Sequence, residues 1–174
     1  MAKVRRFENL ICWQKARRLA NTVYELTRHP KFSKDFRLRD QILDAAGSDM
    51  HNIAEGCDSG TDPEFIRFLK MTRRSGSEVQ SELYLALDRE YITEAELKQA
   101  CGQADETKRL INGLIAFLRK GSQDGGNKIS EDQADYYFLS SESTQDPSEI
   151  ETEDNYPDND QTKDYKTKDS ETGD

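Results

Sequence analysis

The sequence predicts an all-α protein: an antiparallel, up-down-up-down four-helix bundle followed by a disordered acidic tail. Apolar residues recur at intervals of three and four over four long segments, as on one face of an α-helix. The connections between these segments are short, so successive helices must lie side by side and antiparallel. Charge then divides the chain, because residues 1–120 carry a net charge of +3 and residues 121–174 a net charge of −12.

The first two helices are predicted over residues 10–29 and 36–55. Asn9 is the expected N-cap of the first helix, and Pro30 ends it because the residue before a proline disfavours the helical conformation. The second helix has an apolar stripe that Asp49 interrupts. A carboxylate on a packed face is costly unless it finds a partner, so Asp49 is the exception on this helix.

The turn between the second and third helices has the clearest signal. Gly56 is expected just past the end of the second helix, Asp62 caps the third, and Pro63 takes its first position. This order follows the known preferences of helix ends. The third helix is predicted over residues 63–89, and its small Ser-Gly-Ser centre at 75–77 permits close helix approach.

The fourth helix opens with a capping box, in which Thr93 is followed three residues later by Glu96, and it extends to Gly121. About 120 residues are enough to bury one helical core without a disulfide or a metal. We therefore expect residues 1–120 to form the bundle and residues 121–174 to form the tail.

The tail is rich in acidic and small polar residues, and it cannot bury enough apolar surface to offset the loss of chain entropy on folding. It is therefore predicted to be disordered. One apolar stretch, Tyr136–Leu139, interrupts it. This stretch is either unstructured or a short linear motif that docks on this bundle or on a protein partner. A third interpretation, association with the basic face of the bundle, follows from the opposite charges of the two halves.

Composition argues against several classes of protein. The cysteines Cys12, Cys57 and Cys101 are odd in number and lack CxxC spacing, which predicts reduced thiols and a cytoplasmic location. The N-terminus has no apolar signal run. No stretch approaches the roughly 20 apolar residues that a membrane span requires, so no membrane partner is expected.

No catalytic site, metal site or cofactor is predicted. Di-iron bundles use inward Glu residues and Glu-x-x-His motifs, whereas the histidines here, His29 and His51, are not preceded by such a Glu. His51 and Glu55 could share a helix face, but two ligands do not form a catalytic metal site. Cys57 has no recognisable base beside it and is interpreted as an ordinary loop thiol.

Asn52, Glu55 and Gly56 are assigned to the architecture of the turn. In the favoured interpretation, Asn52 and Glu55 hydrogen-bond the loop backbone and satisfy the helix ends. The alternative is a polar site in which Glu55 meets Arg67 or Arg74 across the helix pair.

Basic residues provide the main functional lead. A basic stripe along a helix can neutralise the phosphates of RNA or DNA without reading base sequence, although charged stripes are also commonly solvated faces. The candidate contacts are Arg67, Lys70, Arg73 and Arg74 on the third helix, with Lys15 and Arg18 on the first.

A series of short motifs extends along the same part of the chain. They are Phe7-Glu8, Leu10 and Trp13-Gln14-Lys15-Ala16; Asp40-Gln41-Ile42 and Ala45-Ala46; Asn52-Ile53-Ala54-Glu55-Gly56; Glu64-Phe65-Ile66-Arg67-Phe68-Leu69; Gly76-Ser77-Glu78; and Leu110, Asn112-Gly113-Leu114 and Leu118. In these motifs, residues 7–120 resemble the four-helix bundle proteins related to those encoded in intervening sequences of bacterial 23S ribosomal RNA genes.

This resemblance implies a four-helix bundle that assembles into a homo-oligomer, in known cases a ring of five. One branch of the family resembles the accessory variability protein of diversity-generating retroelements, a basic bundle that binds the reverse transcriptase and nucleic acid. The chain departs from the family pattern in two places. Residues 48–51 lack the usual proline before Asn52, and the acidic tail extends beyond the usual end near position 120.

The expected function is that of a non-enzymatic, homo-oligomeric scaffold or adaptor. The alternative is a nucleic-acid-binding accessory protein, with a reverse transcriptase as a candidate partner and the acidic tail as an internal competitor that mimics phosphate charge. If the tail screens a basic face, removal of residues 121–174 should raise the affinity for RNA or DNA.

Overall fold

The computed structural model describes the backbone of residues 6–123 and of Tyr137, together with the side chains of residues 6–120 and Tyr137. Short 3-10 turns at Phe7–Asn9 and Phe32–Lys34 precede the first two helices. The α-helices are α1 (Ile11–Leu26), α2 (Phe36–Asp58), α3 (Asp62–Asp88) and α4 (Glu94–Gln123). Residues 6–123 contain no strand, and the all-α prediction is confirmed. The predicted tail lies outside the described residues, apart from its first three positions and Tyr137.

Neighbouring helices run antiparallel. Lys15 on α1 pairs with Glu106 on α4, and His29 just after α1 pairs with Glu96, so the numbering rises on one helix as it falls on the other. The same reversed order joins α2 to α3 and α3 to α4. Helices α1 and α3 each pack against α2 and α4 and occupy diagonal corners. The up-down-up-down topology is therefore confirmed.

Local signals set most of the helix ends. The capping box of α4 is present, because the Thr93 amide donates to Glu96 Oε2 at 2.8 Å and the Glu96 amide donates to Thr93 Oγ1 at 3.3 Å. Helix α1 ends three residues before the predicted His29, and the following turn is tightened by hydrogen bonds to residues three positions back. Helix α4 continues two residues beyond Gly121.

The turn between α2 and α3 differs from the prediction. Helix α2 does not stop at Gly56 but continues to Asp58, and Thr61 rather than Asp62 is the N-cap of α3. Gly60 supplies the left-handed backbone of the turn, with φ of 80°. Gly56 has a different role. A Cβ there would lie 2.7 Å from the ring of Phe65, so the lack of a side chain at Gly56 allows α2 and α3 to approach closely.

The core consists of two apolar clusters, one toward each end of the bundle. Between them lies a layer of buried polar residues and one glycine, contributed by three helices: Asp49 and Asn52 from α2, Thr72 and Gly76 from α3, and Thr107 from α4. Asp49 is 1% exposed, and its Oδ1 has no hydrogen-bond partner among the described residues. Burial, followed by the charge of Glu78, raises the pKa of Asp49 to about 8. This layer contains the acid that interrupts the apolar stripe in the sequence of α2.

Within the described part of the chain, no helix combines the length and the apolar character needed to cross a lipid bilayer.

Candidate nucleic-acid interface

The basic residues predicted on α3 lie on its exposed side, but the first of them is already paired. Arg67 forms an ion pair with Glu64 one turn earlier, at 2.6 Å, and its guanidinium lies 4.4 Å from the centre of the Phe68 ring. The hydrogen bond from Arg67 lowers the pKa of the Glu64 carboxyl group. Because both side chains are exposed, this pair contributes little to stability, but it does occupy Arg67.

The other three basic residues of α3 have no such partner. Lys70, Arg73 and Arg74 are exposed, and none of them forms an ion pair with a residue in 6–120. Arg73 donates a hydrogen bond to Asn112 Oδ1 on α4, at 3.0 Å. This bond joins the exposed sides of α3 and α4.

The two residues predicted on α1 do not extend this surface. The Lys15 side chain is only 13% exposed and pairs with Glu106 at 2.6 Å. Arg18 lines a separate cleft of about 620 Å³ together with Glu25 and Glu96. Because α1 and α3 occupy diagonal corners, the predicted combined surface of these two helices is wrong.

Helix α4 supplies basic residues that sequence reasoning missed. Arg109, Arg119 and Lys120 are exposed on its C-terminal half, and none forms an ion pair within the described residues. With the three unpaired residues of α3 they are the exposed, unpaired cations of two neighbouring helices, called here the basic face: Lys70, Arg73, Arg74, Arg109, Arg119 and Lys120.

The basic face is formed by two segments that contain no acidic residue. Residues 65–77 of α3 and residues 107–123 of α4 each contain four Lys or Arg side chains and no Asp or Glu. These segments are adjacent, since Arg73 contacts Asn112. The absence of acids from 107–123 is visible in the sequence, but only the packing of α4 beside α3 joins the two segments.

The geometry suits contacts to a nucleic-acid backbone. At 1.5 Å of rise per residue, Lys70 and Arg74 are about 6 Å apart along α3, and Arg109 and Lys120 about 16 Å apart along α4. These spacings match several successive phosphates of one strand. The strongly exposed aromatic residues Tyr24, Phe36 and Tyr84 lie at the other end of the bundle. Among the described residues, the basic face therefore has charge but no prominent platform for base stacking.

The predicted turn residues have structural contacts of another kind. Asn52 is buried in α2 and donates to Ser48 Oγ at 3.0 Å, and Ser75 of α3 donates to the same oxygen at 3.1 Å. The pattern joins two helices and involves no loop backbone. Glu55 is exposed and lies beyond ion-pair distance of Arg67. The pKa of Arg67 is raised first by its hydrogen bond with Glu64, and the charge of Glu55 adds to this effect. The hydrogen bonds of Asn52 therefore join two helices, and Glu55 acts on Arg67 only through a longer-range attraction.

Within the described residues, no group of three or more His, Cys, Asp or Glu side chains could hold a metal ion. Burial raises the pKa of the Cys12 thiol to about 12, which opposes the formation of a reactive thiolate. Cys57 lies in the last turn of α2 and packs against the apolar cluster, so it is not the loop thiol that was expected.

The fold is shared with a known protein. One similar solved structure is a protein of unknown function from the S23 ribosomal protein family of Bacteroides thetaiotaomicron VPI-5482, with a TM-score of 0.56 and 23% sequence identity. The match covers 60% of this chain and 98% of that chain. At this identity the likeness shows the fold alone. No curated protein sequence matches the chain.

The family model described as 23S rRNA-intervening sequence protein matches residues 8–113. The match includes α1, α2 and α3 and most of α4. It ends before Phe117, Arg119 and Lys120. The chain belongs to the family of 23S rRNA-intervening sequence proteins.

Proposed function

We propose that this protein is a non-enzymatic helical scaffold that binds the phosphate backbone of RNA or DNA through the basic face. The observation that carries the proposal is the adjacency of two acid-free segments on α3 and α4, with six exposed and unpaired cations among the described residues. Charges of one sign on a surface attract a polyanion and release its counterions. Paired residues such as Lys15 and Arg67 contribute less to this attraction because a carboxylate already neutralises each of them.

Two double variants test the two helices of the basic face separately. Lys70→Gln with Arg74→Gln removes charge from α3, and Arg109→Gln with Arg119→Gln removes charge from α4. Each pair should weaken the binding of a fluorescein-labelled single-stranded RNA, and should reduce the slope of log affinity against log salt by about 1 to 2. The measurement is fluorescence anisotropy at several salt concentrations.

The matched control removes two exposed cations from elsewhere on the bundle, Lys34→Gln with Lys98→Gln. This variant has the same net charge as the other two and should bind RNA like the unmodified chain. Equal losses in all three double variants would show that net charge alone attracts the RNA. An unchanged affinity of the α4 variant would remove α4 from the interface.

The second candidate is a homo-oligomeric scaffold, and a different surface favours it. The large side chains Tyr24, Phe36, Tyr84 and Leu85 are 54%, 64%, 56% and 42% exposed. In the antiparallel arrangement, the end of α1, the start of α2 and the end of α3 lie at one end of the bundle, opposite the basic face. Phe36 and Leu85 belong to the neighbouring helices α2 and α3, and exposed apolar side chains on adjoining elements are typical of protein contact surfaces. The two candidates use opposite ends, so one molecule can do both.

A further inference from the structure

On one flank of α4, Phe117 is more deeply buried than the residues that lie above it on the same flank. Gln103, Leu110 and Phe117 are seven residues apart and so share a flank. Gln103 and Leu110 are partly exposed, whereas Phe117 is 8% exposed. Phe117 is therefore covered by a part of the molecule that does not cover Gln103 or Leu110.

Tyr137 contacts Phe117 directly. Its ring centre lies 5.3 Å from that of Phe117, with 47° between the ring planes, which is a favourable separation for an aromatic pair. Tyr137 is itself partly buried and packs against the apolar cluster at this end of the bundle. Of the apolar stretch Tyr136–Leu139, Tyr137 is the residue that the structure describes.

The length of chain between α4 and Tyr137 permits this contact within one molecule. Residues 124–136 can span roughly 45 Å when extended. Returning from the end of α4 at Gln123 to Phe117 requires only about 9 Å along the helix. Lys120 of the basic face lies one turn beyond Phe117 on the same helix, so Tyr137 docks at the margin of that face.

The sequence beside Tyr137 is acidic. Glu131, Asp132 and Asp135 all lie within six residues before it. Covalent geometry alone limits the Cα of Asp135 to about 7 Å from that of Tyr137, and the Cα of Asp132 to about 17 Å.

We propose that Tyr137 is an aromatic anchor, which docks on Phe117 of the same chain and holds the acidic residues 131–135 beside the basic face as an internal competitor of the nucleic acid. The inference rests on the proposed binding of nucleic acid to that face. The binding site is regulated in this way because a tethered anion has a high effective concentration, which is lost when its anchor is removed.

The anchor is tested without nucleic acid by photo-cross-linking in the full chain. Tyr137 is replaced by benzoylphenylalanine, which keeps an aromatic ring, and the cross-linked peptides are identified by mass spectrometry. We expect a cross-link within one chain to the peptide that contains Phe117. Benzoylphenylalanine in place of Tyr165 is the control and should not react there. Cross-linking between two chains, or to no part of α4, would overturn docking in the same molecule.

The competition is tested by RNA binding of the full chain and three variants. Tyr137→Ala should bind a fluorescein-labelled single-stranded RNA about 3- to 10-fold more tightly than the unmodified chain at low salt, and Tyr165→Ala should not. Replacing the three acids, by Glu131→Gln with Asp132→Asn and Asp135→Asn, should give an equal or larger gain while preserving the cross-link to Phe117.

The outcomes separate the regulation from the binding function. If the cross-link forms but Tyr137→Ala and the unmodified chain bind RNA equally, the competition is wrong and the proposed binding stands. If neither the unmodified chain nor any of the three variants binds RNA, the proposed binding fails and the competition fails with it, whereas the cross-link still decides whether Tyr137 is an anchor.

Discussion

At the level of single residues, the bundle interior contains a carboxyl group that has no ion-pair partner among the described residues. Asp49 faces Gly76 of α3, where a Cβ would lie 3.5 Å from Asp49 Oδ2, and the nearby Lys108 ammonium bonds Asp105 and Gln80 instead. The attraction of Lys108 lowers the pKa of Asp49, but burial and the charge of Glu78 outweigh it. The folded protein therefore favours the neutral form of Asp49 at neutral pH.

This protonation makes stability depend on pH. The pKa of Asp49 is raised from 3.8 in a solvated chain to about 8 in the fold, so the folded state holds a proton that the unfolded state releases. The contribution of Asp49 to the free energy of unfolding should thus decrease as pH rises from about 4 to about 8, and should level off above that.

The variant Asp49→Asn removes this titration. We expect it to raise the free energy of unfolding at pH 8 by about 1–3 kcal/mol and to flatten its dependence on pH. Urea unfolding at several pH values and one protein concentration measures both effects. Asp44→Asn changes an exposed carboxylate on the same helix and should leave the slope unaltered. A slope in Asp49→Asn that equals the slope of the unmodified chain would contradict a neutral Asp49.

At the level of the helices, close packing of α2 against α3 depends on Gly56. A Cβ at this position would lie 2.7 Å from both Phe65 Cδ2 and Phe68 Cβ, and neither atom belongs to a freely rotating chain end. The two helices can therefore meet here only if the residue on α2 has no side chain. This requirement, rather than helix termination, explains the glycine.

Two glycine substitutions separate packing from helix propensity. Gly56→Ala should destabilise the bundle by about 1–3 kcal/mol, because the added methyl group overpacks the α2–α3 contact. Gly102→Ala is the matched control, since Gly102 lies within α4, is exposed, and would place its new methyl group more than 4 Å from the described atoms of other elements; it should stabilise by about 0.5–1 kcal/mol. Chemical denaturation measures both, and stabilisation by both would show that α2 and α3 can move apart without cost.

At the level of the whole molecule, the two ends of the bundle have different surface chemistry. The basic face lies where α3 begins and α4 ends, and the exposed apolar side chains lie where α1 and α3 end. This separation lets one end be buried in an assembly while the other remains available to an anion. Repetition of the basic face in an oligomer would multiply weak contacts to one nucleic acid.

The assembly is tested by its mass. Light scattering should give a value several times the chain mass of 20.0 kDa, and Phe36→Ser with Leu85→Ser should shift the distribution toward the monomer because it removes exposed apolar surface. Met71→Ser changes an exposed apolar residue of α3 near the basic end and should leave the mass unchanged. A clean monomer of the unmodified chain would refute the homo-oligomeric scaffold.

Much of this fold could be predicted because helix signals are local. The spacing of apolar residues, the Thr93–Glu96 capping box and the short connections each depend on residues that are neighbours in the chain, and each was interpreted correctly. The helix ends were predicted less accurately. Gly56 has the residue type of a helix stop, and only its contact with Phe65 shows that it serves interhelical packing.

The sequence by itself determined four helices, their antiparallel order, and an unusual acid at Asp49. The tertiary structure decided which side chains share a surface. It placed Lys15 against Glu106, and it brought Arg109, Arg119 and Lys120 beside the basic residues of α3. The physical reason is that periodicity specifies which face of a helix is buried, whereas the composition of a surface depends on which helices become neighbours and at what register. Those relations arise only when the core packs.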